Sequence, residues 1–352
     1  MTRHNSKLDE LLQTRFSWNK SRIRFVSMFI ISLIKVKTVN LTQIALSLNP
    51  HARAESNYRR SQRFLADFEF DFASIATFML SLLPIANGFV LTLDRTNWKL
   101  GKKDINILML AIAYKGIAFP ILWSFLSKRG NSNTAERIKL MDRFIKLFGT
   151  SSIQCLVADR EFIGKEWFDY LKVKQIAFYI RVRNNAQIIR GRGKIRVDSQ
   201  FKMLKLNEYA ILPQKEFIYG HQLSVVGMRL ASEYLILVTL HEPESAIEYY
   251  KQRWQIETLF GAFKSRGFNF EDTHLTHPQR INKLVALLAI TFAWAHLVGE
   301  WLHELKPLKV KKHQRLAKSI FRYGLDYLRE ILLNIHIKLA EFEKTIQILS
   351  CT

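Results

Sequence analysis

The sequence predicts an α/β protein: a core with a mixed sheet, interrupted by a β-rich insertion and flanked by helical N- and C-terminal regions. Three observations carry that expectation. Apolar strand-like runs alternate with amphipathic helical stretches over residues 86–180 and resume in helical form over 241–302. Residues 181–240 are basic, alternating and punctuated by glycine. Helical periodicity dominates residues 1–85 and 303–352.

In chain order, residues 1–85 read as helices. "VNLTQIALSLNPHARAESNYRRSQRFLADF" holds two helical patterns split at Asn49-Pro50, and Arg53, Arg59, Arg60 and Arg63 cluster on the second. A helical DNA-binding module is one reading and a solvated basic helix the other. "FASIATFMLSLLPIANGFVLTL" has 22 uncharged residues, long enough to span a membrane, but Pro84, Asn87 and Gly88 break it. A buried helix, a turn and a buried strand are expected instead.

That strand ends near Asp94. "INILMLAIAY" and "IAFPILWSFL" follow as strands joined by a turn at Lys115-Gly116. "NTAERIKLMDRFIKLFG" is an amphipathic helix with Asn133 at the N-cap and Glu136 at capping-box spacing. A buried strand "SIQCLVADR", a helix "KEWFDYLKVK" and a strand "IAFYIRVR" complete the run. Strand, strand, strand, helix, strand, helix, strand is the order of the ribonuclease H-like fold. Active groups in such open sheets gather at strand ends; Asp94 ends the first strand and Asp159 the fourth.

The insertion at 181–240 carries Arg190 and Arg192 beside Gly191 and Gly193, a basic ribbon suited to DNA or simply solvated at a sheet edge. Past it, "YKQRWQIETLFGAFK" reads as a helix. At roughly 100° per residue, Tyr250, Arg253, Glu257 and Lys264 fall within an arc of about 60°. A phenol, a guanidinium, a carboxylate and an ammonium on one face suit phosphate and metal better than a core. "LVALLAITFAWAHLVG" is short for a span and holds His296, so a core helix is expected.

Composition narrows the partners. The chain has 352 residues and 48% hydrophobic content, which excludes a disordered tail. Lys and Arg number 53 against 30 Asp and Glu, a formal charge of +23. Such an excess points to a polyanion, because each cation at a phosphate releases counterions. Cys155 and Cys351 make neither a disulfide framework nor a metal spacing, so a reducing cytoplasm is expected. "MTRHNSKLDELL" lacks the apolar core of a signal peptide.

Asp94, Asp159 and Glu257 form the chemical constellation. Hard divalent cations take carboxylate oxygens, and two ions about 4 Å apart can activate an attacking oxygen and stabilise a leaving one. Each acid alone has a bland reading: a turn residue for the aspartates, a partner of Arg253 for Glu257. Among smaller signals, Glu161 is a second acid in "DREF", His274 and His277 are loop residues, and Trp98 with Lys99, Lys102 and Lys103 is a DNA contact or a hairpin anchor.

These residues carry a resemblance. Tyr250, Arg253, Glu257 and Lys264 match the spacing Y-(2)-R-(3)-E-(6)-K, and "LTLDRTNW", "VADREF" and "DTHLTHPQRINKL" resemble further motifs of DDE transposases of the insertion-sequence-4 family. The resemblance covers roughly Gly88 to Leu302. It implies a metal-dependent cut-and-paste transposase. Asp94, Asp159 and Glu257 would hold two Mg²⁺ or Mn²⁺ ions. Tyr250, Arg253 and Lys264 would grip phosphates of double-stranded DNA at the terminal inverted repeats, with target DNA joined later. It further implies a hairpin intermediate, a homodimer on DNA, no membrane and a cytoplasmic, nucleoid-associated location. Related enzymes use a Trp from the insertion against a flipped base. No Trp lies between Trp167 and Trp254 here, so Phe217 or Tyr219 is the expected substitute. A related nuclease and a catalytically silent DNA-binding protein are the alternative readings.

Overall fold

The computed structural model describes residues 3–85, 88–312 and 314–350, with side chains from residue 6. Asn87 of the expected break and Cys351 lie outside the described residues. The chain forms two compact units. One comprises Met1–Pro84, Trp98–Ile105 and Leu259–Thr352; the other comprises Ile85–Asn97 and Asn106–Thr258. Residues 259–302, expected within the core, group with the N-terminal helices.

The second unit is built on a sheet. Its first five strands are β1 (Phe89–Leu100), β2 (Lys103–Tyr114), β3 (Ile117–Phe125), β4 (Ile153–Ala158) and β5 (Phe178–Val182). They lie in the order 3-2-1-4-5. β1 and β5 each pair with β4 in parallel, and β2 with β3 antiparallel. The turn at Lys115-Gly116 has φ of 45° and 88°, the left-handed conformation the glycine accommodates. β1 does not end at Asp94 but runs on to Leu100.

Helix α6 (Thr134–Phe148) starts as expected. Asn133 Oδ1 accepts from the Glu136 N–H and Glu136 accepts from the Asn133 N–H. Helix α7 (Lys165–Val173) stacks Phe168 on Phe178 of β5, with centroids 5.2 Å apart. Helix α8 (Ala246–Lys251) packs Ile247 and Tyr250 with Cys155, Val157 and Tyr179. Side chains alternate along a strand, so Phe178 and Tyr179 put α7 and α8 on opposite faces. Cys155 is buried as expected, and burial pushes its thiol up to about 12.

Six further strands fill residues 187–239: β6 (Gln187–Arg190), β7 (Gly193–Arg196), β8 (Tyr209–Ile211), β9 (Glu216–Ile218), β10 (His221–Arg229) and β11 (Tyr234–Thr239). β11 pairs antiparallel with β5, and the rest continue from β11 through β10 and β9 to β6 and β7. The strand-rich stretch therefore extends the same sheet to 11 strands.

In the first unit, α1 (Arg3–Arg15), α2 (Lys20–Val36), α3 (Leu41–Leu48), α4 (Ala54–Asp67) and α5 (Phe72–Ser81) accompany α10 (Pro278–Leu305), α11 (Ile320–Leu333) and α12 (Leu339–Ser350). α10 is apolar on nearly all sides and is buried by its neighbours, the position expected of a core helix. It meets α11 at two glycines. A Cβ on Gly324 would fall 1.9 Å from the Ala295 carbonyl oxygen, and one on Gly299 2.1 Å from that of Ile320.

Candidate active site

The parallel ladder between β1 and β4 ends at Leu93 and Ala158. The next residue along the chain in each case is an aspartate: Asp94 continues β1, and Asp159 is the first residue after β4, near enough to Asp94 to act on its carboxyl electrostatically. Asp159 is two residues beyond Val157, which faces α8, and Asp94 is two beyond Thr92, the ladder partner of Val157. Both carboxylates therefore leave the α8 face of the sheet.

Asp94 is largely buried, and its Oδ1 accepts from the Arg95 N–H at 2.7 Å. Burial pushes its pKa up to about 7; that N–H and Arg253 pull it down, while Glu161 and Asp159 add to the rise. Tyr250 on α8 packs its ring into the core and points its hydroxyl to Asp159 Oδ1 at 3.4 Å, the long limit of a hydrogen bond. Burial raises the phenol above its ordinary range, so it is a neutral donor.

The helix expected across Tyr250–Lys264 is broken. α8 ends at Lys251 and α9 (Trp254–Phe263) begins after a turn. The N–H groups of Gln252, Arg253, Gln255 and Ile256 each donate three residues back, the tighter 3-10 pattern. Tyr250 lies before the break, Arg253 within it and Glu257 after it, so these side chains do not share one helical face.

The break aims Arg253 inward. Its side chain is 8% exposed; Nη2 donates to Glu257 Oε1 at 2.7 Å and Nη1 lies 3.6 Å from Asp94 Oδ2. Asp94 and Glu257 are thus within about 9 Å of each other, the two contact distances plus the width of a guanidinium. Lys264 follows the end of α9 and pairs with Glu271 at 2.7 Å.

The donor set fits a hard divalent cation in kind: carboxylate oxygens, two of them adjacent, which is as many as Mg²⁺ commonly takes from protein. Asp94 is a largely buried carboxylate whose pKa burial raises, with Arg253 as a nearby compensating cation. Among the described residues no three His, Cys, Asp or Glu side chains form a metal-holding group. Arg253 places its own positive charge between Asp94 and Glu257 instead.

A family model described as Transposase DDE domain matches residues 89–294. The chain belongs to the DDE transposase family. No curated protein matches it. The mixed α/β sheet with flanking helices agrees with the ribonuclease H-like architecture of a DDE domain.

The remaining basic residues expected at DNA sit apart from this transposase's acids in sequence and in their partners. On α4, Arg59 and Arg63 are exposed, while Arg60 is half-buried with its guanidinium 5.1 Å from the Phe25 ring. Arg60 and Arg63 line a cleft of about 370 Å³ with Arg22, which the sequence reading did not single out. Arg190 is engaged by both oxygens of Glu216 on the neighbouring strand, whereas Arg192 is exposed in the turn after β6. Trp98 is buried, edge-on to Phe270, and so is an anchor. His274 and His277 lie outside helices, His277 as the N-cap of α10.

Two signals were missed. Trp254 is 63% exposed on the first turn of α9, with Arg253 5.4 Å from its ring. It lies just after the break at Gln252–Arg253. Arg95 was passed over beside Asp94, although it pairs with Glu161.

Proposed function

We propose that this transposase is an insertion-sequence-4-type enzyme that cuts its own element ends and joins them to target DNA. The observation that carries the reading is the adjacency of Asp94 and Asp159 at the end of the β1–β4 ladder, with Glu257 tied to Asp94 through Arg253.

Asp94, Asp159 and Glu257 are the oxygen donors for two Mg²⁺ or Mn²⁺ ions. Such ions, when bound, raise the reactivity of the attacking oxygen and neutralise the leaving one. Arg253, Tyr250 and Lys264 orient phosphates of the element end. For Glu257 to serve as a donor, Arg253 must exchange it for another anion, and a DNA phosphate supplies one. Lys264 must likewise release Glu271.

Water cuts one strand at each end and leaves a 3′ hydroxyl. That hydroxyl attacks the opposite strand to form a hairpin, water reopens it, and the hydroxyl joins target DNA. Trp254 gives the aromatic surface on which an unpaired base stacks. Its exposure next to Arg253 supports this over Phe217 on a strand or Tyr219, which is half-buried against Phe168. Arg59, Arg60 and Arg63 on α4 and Arg192 on the β6–β7 ribbon bind backbone phosphate, and Arg190, engaged by Glu216, contributes less. The enzyme acts as a homodimer on paired inverted repeats, in the cytoplasm at the nucleoid.

A gel assay with Mg²⁺ and a duplex bearing the element end tests the reading. Joined products are expected. Cut but unjoined DNA indicates a related nuclease, and a mobility shift alone a silent DNA-binding protein.

A further inference from the structure

Behind the paired aspartates lies a second pair. Arg95 follows Asp94, and Glu161 comes two residues after Asp159. They grip side-on: Arg95 Nε donates to Glu161 Oε1 at 2.7 Å and Nη2 to Oε2 at 2.8 Å. The other donors of Arg95 reach Asn106 Oδ1 at 3.0 Å, the Gly130 carbonyl at 2.7 Å and Asn131 Oδ1 at 2.9 Å. A guanidinium has five N–H groups, so all are engaged.

The surrounding frame is tied down as well. Asn106 donates to the Lys128 and Gly130 carbonyls, both at 3.0 Å. Buried Arg137 donates through Nη2 to the Glu161 carbonyl at 2.9 Å, and through Nε to Ser132 Oγ at 2.9 Å. Successive side chains leave a strand on opposite faces, so Arg95 lies behind β1 relative to Asp94. The pair thus joins the end of the β1–β4 ladder to the turn after β4 from the side opposite the acids.

Adjacent carboxylates repel. Fixing their backbones opposes that repulsion. We propose that Arg95 and Glu161 are positioning residues, a brace that sets the spacing of the Asp94 and Asp159 carboxylates and hence the affinity of the site for divalent cations. The proposal rests on the reading of those aspartates as ligands. Glu161 itself is no ligand, since both its oxygens are held by Arg95.

The test is Mn²⁺ binding to the full chain without DNA, followed by electron paramagnetic resonance, beside thermal melts without metal. Glu161→Gln and Arg95→Met are each expected to weaken Mn²⁺ binding about 10- to 100-fold, the usual cost of losing a group that orients a ligand. The double variant is expected to lose no more than the worse single one, because the two act as one unit. An ordinary structural ion pair would lower the melting temperature and leave the Mn²⁺ affinity of the folded protein unchanged; that result overturns the proposal. Asp94→Asn separates the two levels of the claim. If it binds Mn²⁺ normally, the ligand reading has failed and the brace with it. If it loses binding while Glu161→Gln keeps it, only the brace has failed. Should Glu161→Gln not fold, Asn131→Ala removes one exposed bond of Arg95 and is expected to weaken Mn²⁺ binding by less than the roughly 10-fold of losing the whole pair; unchanged affinity there also overturns the proposal.

Discussion

The guanidinium of Arg253 lies 2.7 Å from Glu257 Oε1, across a 3-10 turn that interrupts the helix their spacing implies. A cation built into the chain thus holds an acid proposed to bind a metal. Removing it frees the carboxylate. Arg253→Gln is expected to bind Mn²⁺ at least as tightly as the wild type while binding end DNA more weakly. Mn²⁺ titration and gel-shift measurements check both halves, and a loss of Mn²⁺ affinity would count against the account.

Asp94 sets a pH dependence in the metal-free protein. Its folded pKa is about 7 against an ordinary 3.8, so between those values the native state keeps a proton that the unfolded chain gives up. Stability from this group is therefore unchanged below about pH 4, falls as pH rises to about 7, and stays low above it. The full loss is on the order of 4 kcal/mol. Asp94→Asn removes it. Thermal melts in chelator are expected to show the variant more stable than wild type above pH 7, with the gap closing toward pH 4.

Arg190 and Arg192 differ in what holds them, and DNA binding should register the difference. Arg192 is exposed, and Arg192→Gln is expected to reduce the slope of log affinity against log salt by about 1. Arg190 is engaged by Glu216, so Arg190→Gln is expected to change the slope by less than half as much. Arg63→Gln on α4 is expected to behave like Arg192→Gln. Filter binding over a range of salt concentrations measures all three.

The α10–α11 crossing admits no side chain at Gly324, where a Cβ would fall 1.9 Å from a backbone oxygen. Gly324→Ala is expected to destabilise the protein by about 3 kcal/mol, read from denaturant unfolding. An unchanged midpoint would mean the two helices part easily.

The strand and helix order was legible because each element announces itself locally. The Asn133–Glu136 capping box and the Lys115-Gly116 turn formed where expected. Asp94 and Asp159 were legible as strand-end acids, although β1 continues past Asp94, since a strand's length depends on its pairing partner. The break at Gln252–Arg253 was not legible. No Gly or Pro marks it, and the apolar spacing around it is compatible with one continuous helix. Nor was the Arg95–Glu161 pair, which joins side chains 66 residues apart and depends on the register of two parallel strands.

Glu257, with the two aspartates, is proposed to support chemistry and not merely the fold. The most direct measurement is single-turnover cleavage of an end-bearing duplex in Mg²⁺ by Glu257→Gln, with a gel shift of the same complex. End binding is expected to be retained and cleavage to fall by a factor of at least roughly 10³. Cleavage at the wild-type rate would contradict that role.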